Sequence, residues 1–393
     1  MQAQAPDPPY IGLWTRLAGF AHDDLARLLH ERRVVRLALM RSTIHLVTAD
    51  DCMALRPLLQ PMLTRALRGA YGKRLAGLDL EELAAEGRAL VEERPLTFRE
   101  LGEPLRRRWP ELAPADLVGA VRSLLALVQV PPRGIWGVGG QAAHTTAEAW
   151  LGRSQDERSS LAEAIRRYLA AYGPATVMDI QQWSGMTRLG EVARGMGLRV
   201  FATEDGAELL DLPEASRPDP DTPAPVRYLS EFDNMLLSFA DRTRTRIMAD
   251  EYRARVFTIN GIIKATVLVD GFVRGMWKVT AKRGEAILEV DLFQPVNARE
   301  REALELEGRA CSTSSPPRRR SATSASAERA PHPRPEIRSR SRQGPTRASS
   351  SEAVMLPGAR SSRANSFASR CRTSLTGVET PCVRPRRVIS PLR

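Results

Sequence analysis

Apolar positions recur at helical spacing through much of the first 212 residues. They predict helices over residues 21–40, 50–70, 79–93 and 114–129. Asp23 and Asp24 stand in the first turn of the first helix, where acidic side chains suit the helix dipole. Between the first two helices, Thr43 to Val47 reads as a short strand, and residues 48–51 form a helix cap. The N-terminal region is therefore predicted to mix helices with short strands.

Residues 160–212 carry the clearest pattern. A helix ends on Gly173, a short helix follows in VMDIQQWSG, and Thr187 is the candidate cap of a third helix, TRLGEVARGM. Two strands joined by the turn Glu204-Asp205-Gly206 come next. Helices followed by a hairpin are the order of a winged helix-turn-helix, in which the last helix would read DNA.

Strands dominate after residue 255, beyond a linker rich in Pro and Asp. Apolar and polar residues alternate there, and the pairs Asn260-Gly261, Asp270-Gly271 and Arg283-Gly284 mark the turns. This pattern predicts a small antiparallel sheet or barrel, closed by a final helix over 298–309.

The predicted fold class is α+β, with tandem winged helix-turn-helix units, then a small antiparallel, barrel-like β-rich domain, then a disordered tail. The expected divisions are a partial first winged-helix unit (1–75), a second (76–152), a third (153–213), a linker (214–225), the β-rich domain with its final helix (226–309) and the tail (310–393).

Charge separates the tail from the rest of the chain. Residues 311–393 hold 17 Arg, no Lys, no Asp and four Glu, a net charge of +13, whereas the whole chain carries +12. The first 310 residues are thus close to neutral, and a basic DNA-binding surface has to be sought in local clusters. With 17 Ser, 10 Pro and little apolar periodicity, the tail is predicted to be disordered.

Motifs of several enzyme classes are absent from the sequence. It has no P-loop, dinucleotide-binding fingerprint, HExxH, paired CxxC or GxSxG, and its cysteines and histidines are scattered. We therefore predict no metal and no cofactor. No apolar run is long enough to cross a membrane and no signal peptide precedes the chain, so we expect a soluble cytoplasmic protein.

Several basic residues are candidates for contact with DNA. Arg188 and Arg194 border the predicted recognition helix, and Arg242, Arg244 and Arg246 form a basic run before the sheet. The alternative for Arg188 and Arg194 is an ordinary solvated helix face. The alternative for the run before the sheet is a polar loop. His45 alone is more typical of a structural histidine than of a catalytic one.

Five segments give the chain a resemblance to a known family. They are QAQAPDPPYIGLWTRL, VVRLALMRSTIHLVTADD, GGQAAHTTAEAWLGR, YGPATVMDIQQWSG and YLSEFDNMLLSFADRTR. In this order they resemble the winged-helix, AlkZ-like (YcaQ-like) DNA glycosylase superfamily, most closely its actinobacterial members. Arg41 and His45 lie in the second segment and join the DNA-binding candidates. The resemblance covers residues 1 to about 309.

The resemblance implies a catalytic Gln-x-Gln motif, which matches Gln2-Ala3-Gln4. The implied reaction is hydrolysis of the N-glycosidic bond of an alkylated purine of the N7 type, including bulky or crosslinked adducts. The amides would hold the attacking water and stabilise the positive sugar. The implied partner is double-stranded DNA, and we expect a monomer associated with the nucleoid. Without the resemblance, Gln2 and Gln4 would read as a polar tail.

Two departures from the family pattern lead to hypotheses about the gene. Relatives carry further helical segments before Gln-x-Gln, which suggests a truncated or misassigned start. The C-terminal tail is rich in Arg and Ser and has no Lys, which suggests a frameshift near 308–312. The alternatives to a glycosylase are a non-enzymatic winged-helix DNA-binding protein, such as a transcription regulator, and a fragmentary gene product.

Overall fold

The computed structural model describes residues 1–155, 159–219, 221–282 and 285–314, with two short segments at 371–376 and 390–391. The tail predicted to be disordered lies otherwise outside the described residues. In those two segments, β12 (Cys371–Thr376) pairs parallel to β11 and β13 (Ser390–Pro391) pairs antiparallel to β6, both strands being defined below. All other ladders of the described residues are antiparallel.

Residues 1–155 build one antiparallel sheet surrounded by helices. The helices are α1 Pro8–Trp14, α2 His22–His30, α3 Ala49–Tyr71, α4 Leu80–Glu93, α5 Phe98–Arg108, α6 Pro114–Leu124 and α7 Ala147–Leu151. The strands are β1 Val34–Ala38, β2 Ile44–Thr48, β3 Leu96–Thr97, β4 Leu127–Gln129 and β5 Ala143–Thr146, in the order β2-β1-β4-β5-β3. The sheet thus joins strands from both of the first two predicted units.

Two helix predictions in this region were too long. The helix predicted over 21–40 ends at His30, Arg32 turns the chain with φ 59°, and β1 follows. The helix predicted over 114–129 ends at Leu124, and β4 takes its last residues. In both cases a short, continuous apolar run fits a buried strand as well as a helix, so periodicity alone could not separate them.

The strand and helix between these two were predicted to within one residue. The strand predicted from Thr43 to Val47 is β2, and the Thr48 side chain accepts a hydrogen bond from Asp51 N at 3.1 Å to begin α3. An N-cap of this kind satisfies an amide that has no partner within the helix. The cap residue therefore agrees with the apolar spacing, which predicted this helix over 50–70.

The third unit follows the predicted order of elements. It contains α8 Leu161–Tyr172, α9 Val177–Ser184, α10 Leu189–Arg194 and the hairpin β6 Arg199–Ala202 and β7 Glu208–Asp211. The turn Glu204-Asp205-Gly206 joins the two strands as predicted, with Gly206 at φ 82°. The predicted cap was wrong, because Arg188, at φ 62°, occupies the position before α10 in place of Thr187.

The C-terminal sheet is open. Its strands β8 Arg227–Leu229, β9 Thr266–Val269, β10 Phe272–Lys282 and β11 Glu285–Leu292 pair in sequence, and no ladder of the described residues joins β8 to β11. The barrel-like closure was therefore wrong. The turn Asp270-Gly271 joins β9 to β10 as predicted, whereas the turn Arg283-Gly284 lies outside the described residues.

Two further helices complete this region. They are α11 Asn234–Leu237 and α12 Arg253–Val256. The final helix, α13 Ala298–Ser314, continues past its predicted end at 309.

Helix α1 connects the two ends of the described chain. Its Ile11 and Trp14 pack on the core of the C-terminal sheet, beside Tyr228, Trp277 and Leu304. On its other face, Tyr10 lies in the N-terminal core and its hydroxyl donates to Gly134 O at 2.9 Å. Helix α1 thus packs on the cores of both sheets and follows directly on the Gln-x-Gln strip, whose Ala3 pairs with β2. None of the helices described here is long and apolar enough to span a membrane.

Candidate active site

The first residues of the chain form an added edge on β2. Ala3 N donates to Ile44 O at 2.7 Å and Leu46 N donates to Met1 O at 2.8 Å, so that Gln2 faces His45 across an antiparallel bridge. Ala3 is fully buried in the N-terminal core. Because side chains alternate along an extended segment, a buried Ala3 sends its two glutamine neighbours away from that core.

Gln2 is almost enclosed, with 7% of its surface exposed. Its amide oxygen Oε1 accepts a hydrogen bond from Arg41 Nη2 at 2.9 Å. Its backbone N donates a long hydrogen bond of 3.4 Å to Asn234 Oδ1, at the start of α11. Contacts from two distant parts of the chain therefore fix both the backbone and the side chain of Gln2.

Arg41 lies in a tight turn between β1 and β2, at φ 54°. Besides Gln2, its guanidinium donates through Nη1 to Trp183 O at the end of α9. Burial lowers the pKa of Arg41 to about 10, which leaves it charged at neutral pH. This residue, predicted to bind DNA, instead contacts the first glutamine of the strip and the third unit.

Gln4 is exposed and lies at the rim of a groove. Its Oε1 accepts a hydrogen bond from Ile44 N at 3.2 Å. The groove has a volume of about 690 Å³ and runs from Gln4 between the N-terminal strip and helices α5 and α6. Three arginines and one glutamate line it, namely Arg99, Arg122, Arg133 and Glu103. The groove beside Gln4 is thus basic.

Two of the groove arginines are fixed by carbonyl groups. Arg122 Nη2 donates to Ser42 O at 2.9 Å and Arg133 Nη1 donates to Gly140 O at 3.1 Å. Within the described part of the chain, Arg133 Nε is buried and has no hydrogen-bond partner. Burial lowers the pKa of Arg122. These guanidinium groups are held in place at the wall of the groove, where their positive charge suits an anionic ligand.

His45 is buried and does not reach the surface. Its Nδ1 lies 3.0 Å from Thr43 O, so this nitrogen carries the proton and donates it. Burial lowers the pKa of His45 well below its ordinary value, which keeps the imidazole neutral. A neutral, enclosed ring cannot neutralise a phosphate, so His45 is not a residue that contacts DNA through its charge.

The remaining arginine candidates divide by exposure. Arg188, Arg194 and Arg242 are exposed, and Arg242 lies near Asp205 at the β6–β7 turn. Arg244 is buried and donates to Leu236 O and Phe239 O, both at 2.9 Å. The first three candidates are exposed to DNA, whereas Arg244 begins a short 3-10 turn and holds together the loop that precedes it.

Arg246 is also largely enclosed. Its Nη1 donates to Pro174 O at 2.6 Å, and its guanidinium lies 5.3 Å from the centre of the Phe239 ring. Burial lowers the pKa of Arg246. The alternation Arg242-Thr243-Arg244-Thr245-Arg246 looked like an exposed basic run, but successive side chains leave its short 3-10 turn in different directions. The sequence alone does not distinguish the exposed Arg242 from the buried Arg244 and the half-buried Arg246.

The sequence prediction missed Asp233, Asn234 and Arg16. Asp233 is buried, and its carboxylate accepts from Arg16 at 2.7 and 3.0 Å and caps α11 through Met235 N at 2.9 Å. The signal available was the Asp before a short helix, which is typical of an N-cap. Nothing local indicated that this cap would pair with Arg16, or that Asn234 would accept a hydrogen bond from Gln2 N.

Among the described residues, no group of three or more His, Cys, Asp or Glu side chains is arranged to hold a metal ion. The candidate site is instead built from amides and guanidinium groups. Such groups donate hydrogen bonds to phosphate and to the polar edges of bases.

A strip of two glutamines, of which Gln4 opens onto a basic groove, is suited to a nucleic-acid ligand. The family model for DNA glycosylase AlkZ-like matches residues 1–313, and the chain belongs to this AlkZ-like DNA glycosylase family. It is similar to an interstrand DNA cross-link repair glycosylase of Streptomyces sahachiroi, with 25% identity over 311 residues, 71% of this chain and 79% of the relative.

A solved structure supports the same fold. The Streptomyces sahachiroi DNA glycosylase AlkZ aligns with 80% of this chain and 88% of its own length, with a TM-score of 0.65 and 22% sequence identity. At 22% identity this similarity shows the fold alone, which is a mixed α and β architecture.

Proposed function

We propose that this protein is a monofunctional DNA glycosylase that hydrolyses the N-glycosidic bond of alkylated purines of the N7 type, including bulky or crosslinked adducts. The observation that carries the proposal is the Gln-x-Gln strip, in which Gln2 is fixed by Arg41 while Gln4 opens onto a basic groove. Membership of the family and the similarity to an interstrand DNA cross-link repair glycosylase support it.

The chemistry suits a site made of amides. A purine alkylated at N7 is already cationic, so it leaves with the electron pair of the broken C1′–N9 bond and needs little help from an acid. Water then forms the new bond to C1′ and loses a proton. Glutamine does not titrate, but its oxygen and NH2 group can orient the water and the departing base by hydrogen bonding.

The proposed substrate is double-stranded DNA, bound by a winged-helix body. We propose that residues 1–75 are a partial unit of this kind and that 76–152 and 153–213 are two further units. In the last of them, α10 would be the recognition helix, and Arg188 before it and Arg194 at its end would neutralise phosphates. Arg242 would add a contact near the β6–β7 turn. We further propose that the protein acts as a monomer at the nucleoid, and that 214–225 links the units to the C-terminal sheet of 226–309.

The decisive experiment measures release of base from duplex DNA carrying an N7-alkylguanine. Gln2→Ala and Gln4→Ala should each reduce single-turnover release by about 100-fold or more, as loss of one preorganised donor does in other enzymes. Gln182→Ala, an exposed glutamine on α9, is the matched control and should leave release unchanged. Release that survives both active-site substitutions would remove the strip from the mechanism.

The second candidate function is a winged-helix DNA-binding protein without enzymatic activity. The exposed Arg188 and Arg194 beside α10 favour it, because they suit a regulator equally well. A footprint on one DNA sequence, with no base released from alkylated duplex, would establish this function in place of the glycosylase.

A further inference from the structure

One hydrogen bond in the candidate site determines which way an amide points. Arg41 Nη2 lies 2.9 Å from the oxygen of the Gln2 side chain. A guanidinium has only donors, whereas a glutamine amide has an acceptor oxygen and a donor NH2 group. Turning the Gln2 amide by 180° would set N–H against N–H, so Arg41 admits only one orientation.

Arg41 is itself held in place by the third unit. Its Nη1 donates to Trp183 O, and the chain beyond α9 passes directly over its backbone. A Cβ at Gly185 would lie 3.2 Å from Arg41 N and 3.3 Å from its Cα, and Gly185 has φ 78°. This glycine therefore permits the close approach that brings the Trp183 carbonyl within reach of Arg41.

The two glutamines are consequently unequal. In Gln2 the oxygen is occupied by Arg41, and within the described residues no acceptor is hydrogen-bonded to its NH2 group. Within the described residues the Gln4 oxygen also accepts one hydrogen bond, from Ile44 N at 3.2 Å, but it lies on an exposed side chain that water can reach, whereas Gln2 is almost enclosed. A positive neighbour also draws electron density toward the Gln2 oxygen and makes its N–H groups stronger donors.

We propose that Arg41 is a positioning residue that sets Gln2 as the hydrogen-bond donor of the site, so that Gln4 is the acceptor for the attacking water. This inference rests on the proposed function and assigns separate roles within it. Gln2 would donate from Nε2 to an acceptor atom on the edge of the departing purine. Gln4 would accept a hydrogen from the water that bonds to C1′.

Glutamate substitutions separate the two roles. A glutamate at position 2 pairs with Arg41 and has no N–H to donate, so Gln2→Glu should reduce single-turnover release about 100-fold. A glutamate at position 4 still accepts from water, so Gln4→Glu should stay within about tenfold of the natural protein on the same scale. Equal losses, or a greater loss from Gln4→Glu, would overturn the division of roles.

Arg41 substitutions test positioning against direct contact with DNA. Arg41→Met should lower kcat with little change in KM for duplex DNA and little change in the salt dependence of binding. A phosphate contact would instead raise KM and lower the salt slope by about one. In a Gln2→Ala background, Arg41→Met should have no further effect, because the two residues act as a unit. Additive losses would contradict the proposal.

A measurement independent of catalysis completes the test. The side-chain 15N–1H signals of Gln2, assigned by their loss in Gln2→Ala, should be shifted and rigid in the full-length protein. They should move to the values of a free amide in Arg41→Met. Arg65→Met is the matched control, since exposed Arg65 donates to Gly185 O at 2.8 Å without touching Gln2. Unchanged Gln2 signals in Arg41→Met would overturn the positioning role, whether or not the protein releases base.

Discussion

Arg16 and Asp233 form a bidentate ion pair that joins positions 217 residues apart, with distances of 2.7 and 3.0 Å. The carboxylate is fully enclosed, while 40% of the arginine side chain is exposed. Arg16 follows helix α1, and the residue after Asp233 is Asn234, which accepts from Gln2 N. The buried carboxylate therefore connects the segment after α1 with the start of α11, where Asn234 contacts the backbone of the candidate catalytic strip.

Asp233→Ala should destabilise the protein and disturb the site together. Removing the carboxylate leaves Arg16 without its partner and α11 without its cap, and loss of one member of a buried pair costs about 3 kcal/mol or more. Because Arg16 is partly exposed, we expect a loss near 2 to 3 kcal/mol in the free energy of unfolding by urea.

The control for this change is Asp291→Ala, which removes the exposed ion pair of Arg255 and Asp291 at 3.0 Å. Its cost should remain below about 1 kcal/mol. Equal costs for the two substitutions would show that the buried pair contributes no more than a surface pair. Base release should fall in Asp233→Ala at temperatures where the variant remains folded.

Stability should decrease as the pH falls from about 6.5 to 4. His144 is buried and stacks on Phe98 with ring centres 4.0 Å apart, and burial lowers its pKa from 6.5 to about 4. Between these values the unfolded chain binds a proton that the folded protein does not, so the stability present above pH 6.5 is lost as the pH falls. The loss reaches about 3 kcal/mol at pH 4.

His144→Phe should flatten this part of the profile, because phenylalanine does not titrate. His45, which is also buried with a lowered pKa, should leave a residual slope of the same sign. The measurement is urea denaturation at a series of pH values, with exposed His30→Phe as the control. A profile for His144→Phe as steep as that of the natural protein would refute the assignment.

Substitutions of Arg188 and Arg194 should weaken binding to DNA of any base sequence. Arg188→Gln and Arg194→Gln each remove one exposed positive charge, so each should lower the slope of log Kd against log salt by about one. Fluorescence anisotropy with an unmodified duplex measures this. Arg301→Gln, exposed on α13, serves as the comparison and should leave the slope as it was. Identical slopes for all four proteins would exclude α10 from the DNA interface.

Local chemistry made part of the fold predictable. Thr48 capped its helix, and the turns at Asp270-Gly271 and Glu204-Asp205-Gly206 joined the strands that alternation indicated. Each of these signals depends on neighbours a few residues away, which is what a sequence displays directly. The helix over 21–40 failed because Val34 and Val35 belong to a buried strand whose partners are distant in the chain.

The candidate site was predictable only in part, for the same reason. Gln2 and Gln4 could be named from a family resemblance, and the structure brings Arg41 against the first of them. The burial of His45 and Arg244 and the approach of Asn234 result from tertiary packing, which no local pattern encodes. The groove beside Gln4 likewise gathers Arg99, Arg122 and Arg133 from separate elements.

The central claim is that the Gln-x-Gln strip hydrolyses the N-glycosidic bond of an alkylated purine. Its most direct test is single-turnover release of N7-alkylguanine from duplex DNA by the natural protein, Gln2→Ala, Gln4→Ala and Gln182→Ala. The account predicts release by the natural protein and by Gln182→Ala, and a loss of about 100-fold or more in the other two. Equal release by all four proteins, or none by the natural protein, would contradict it.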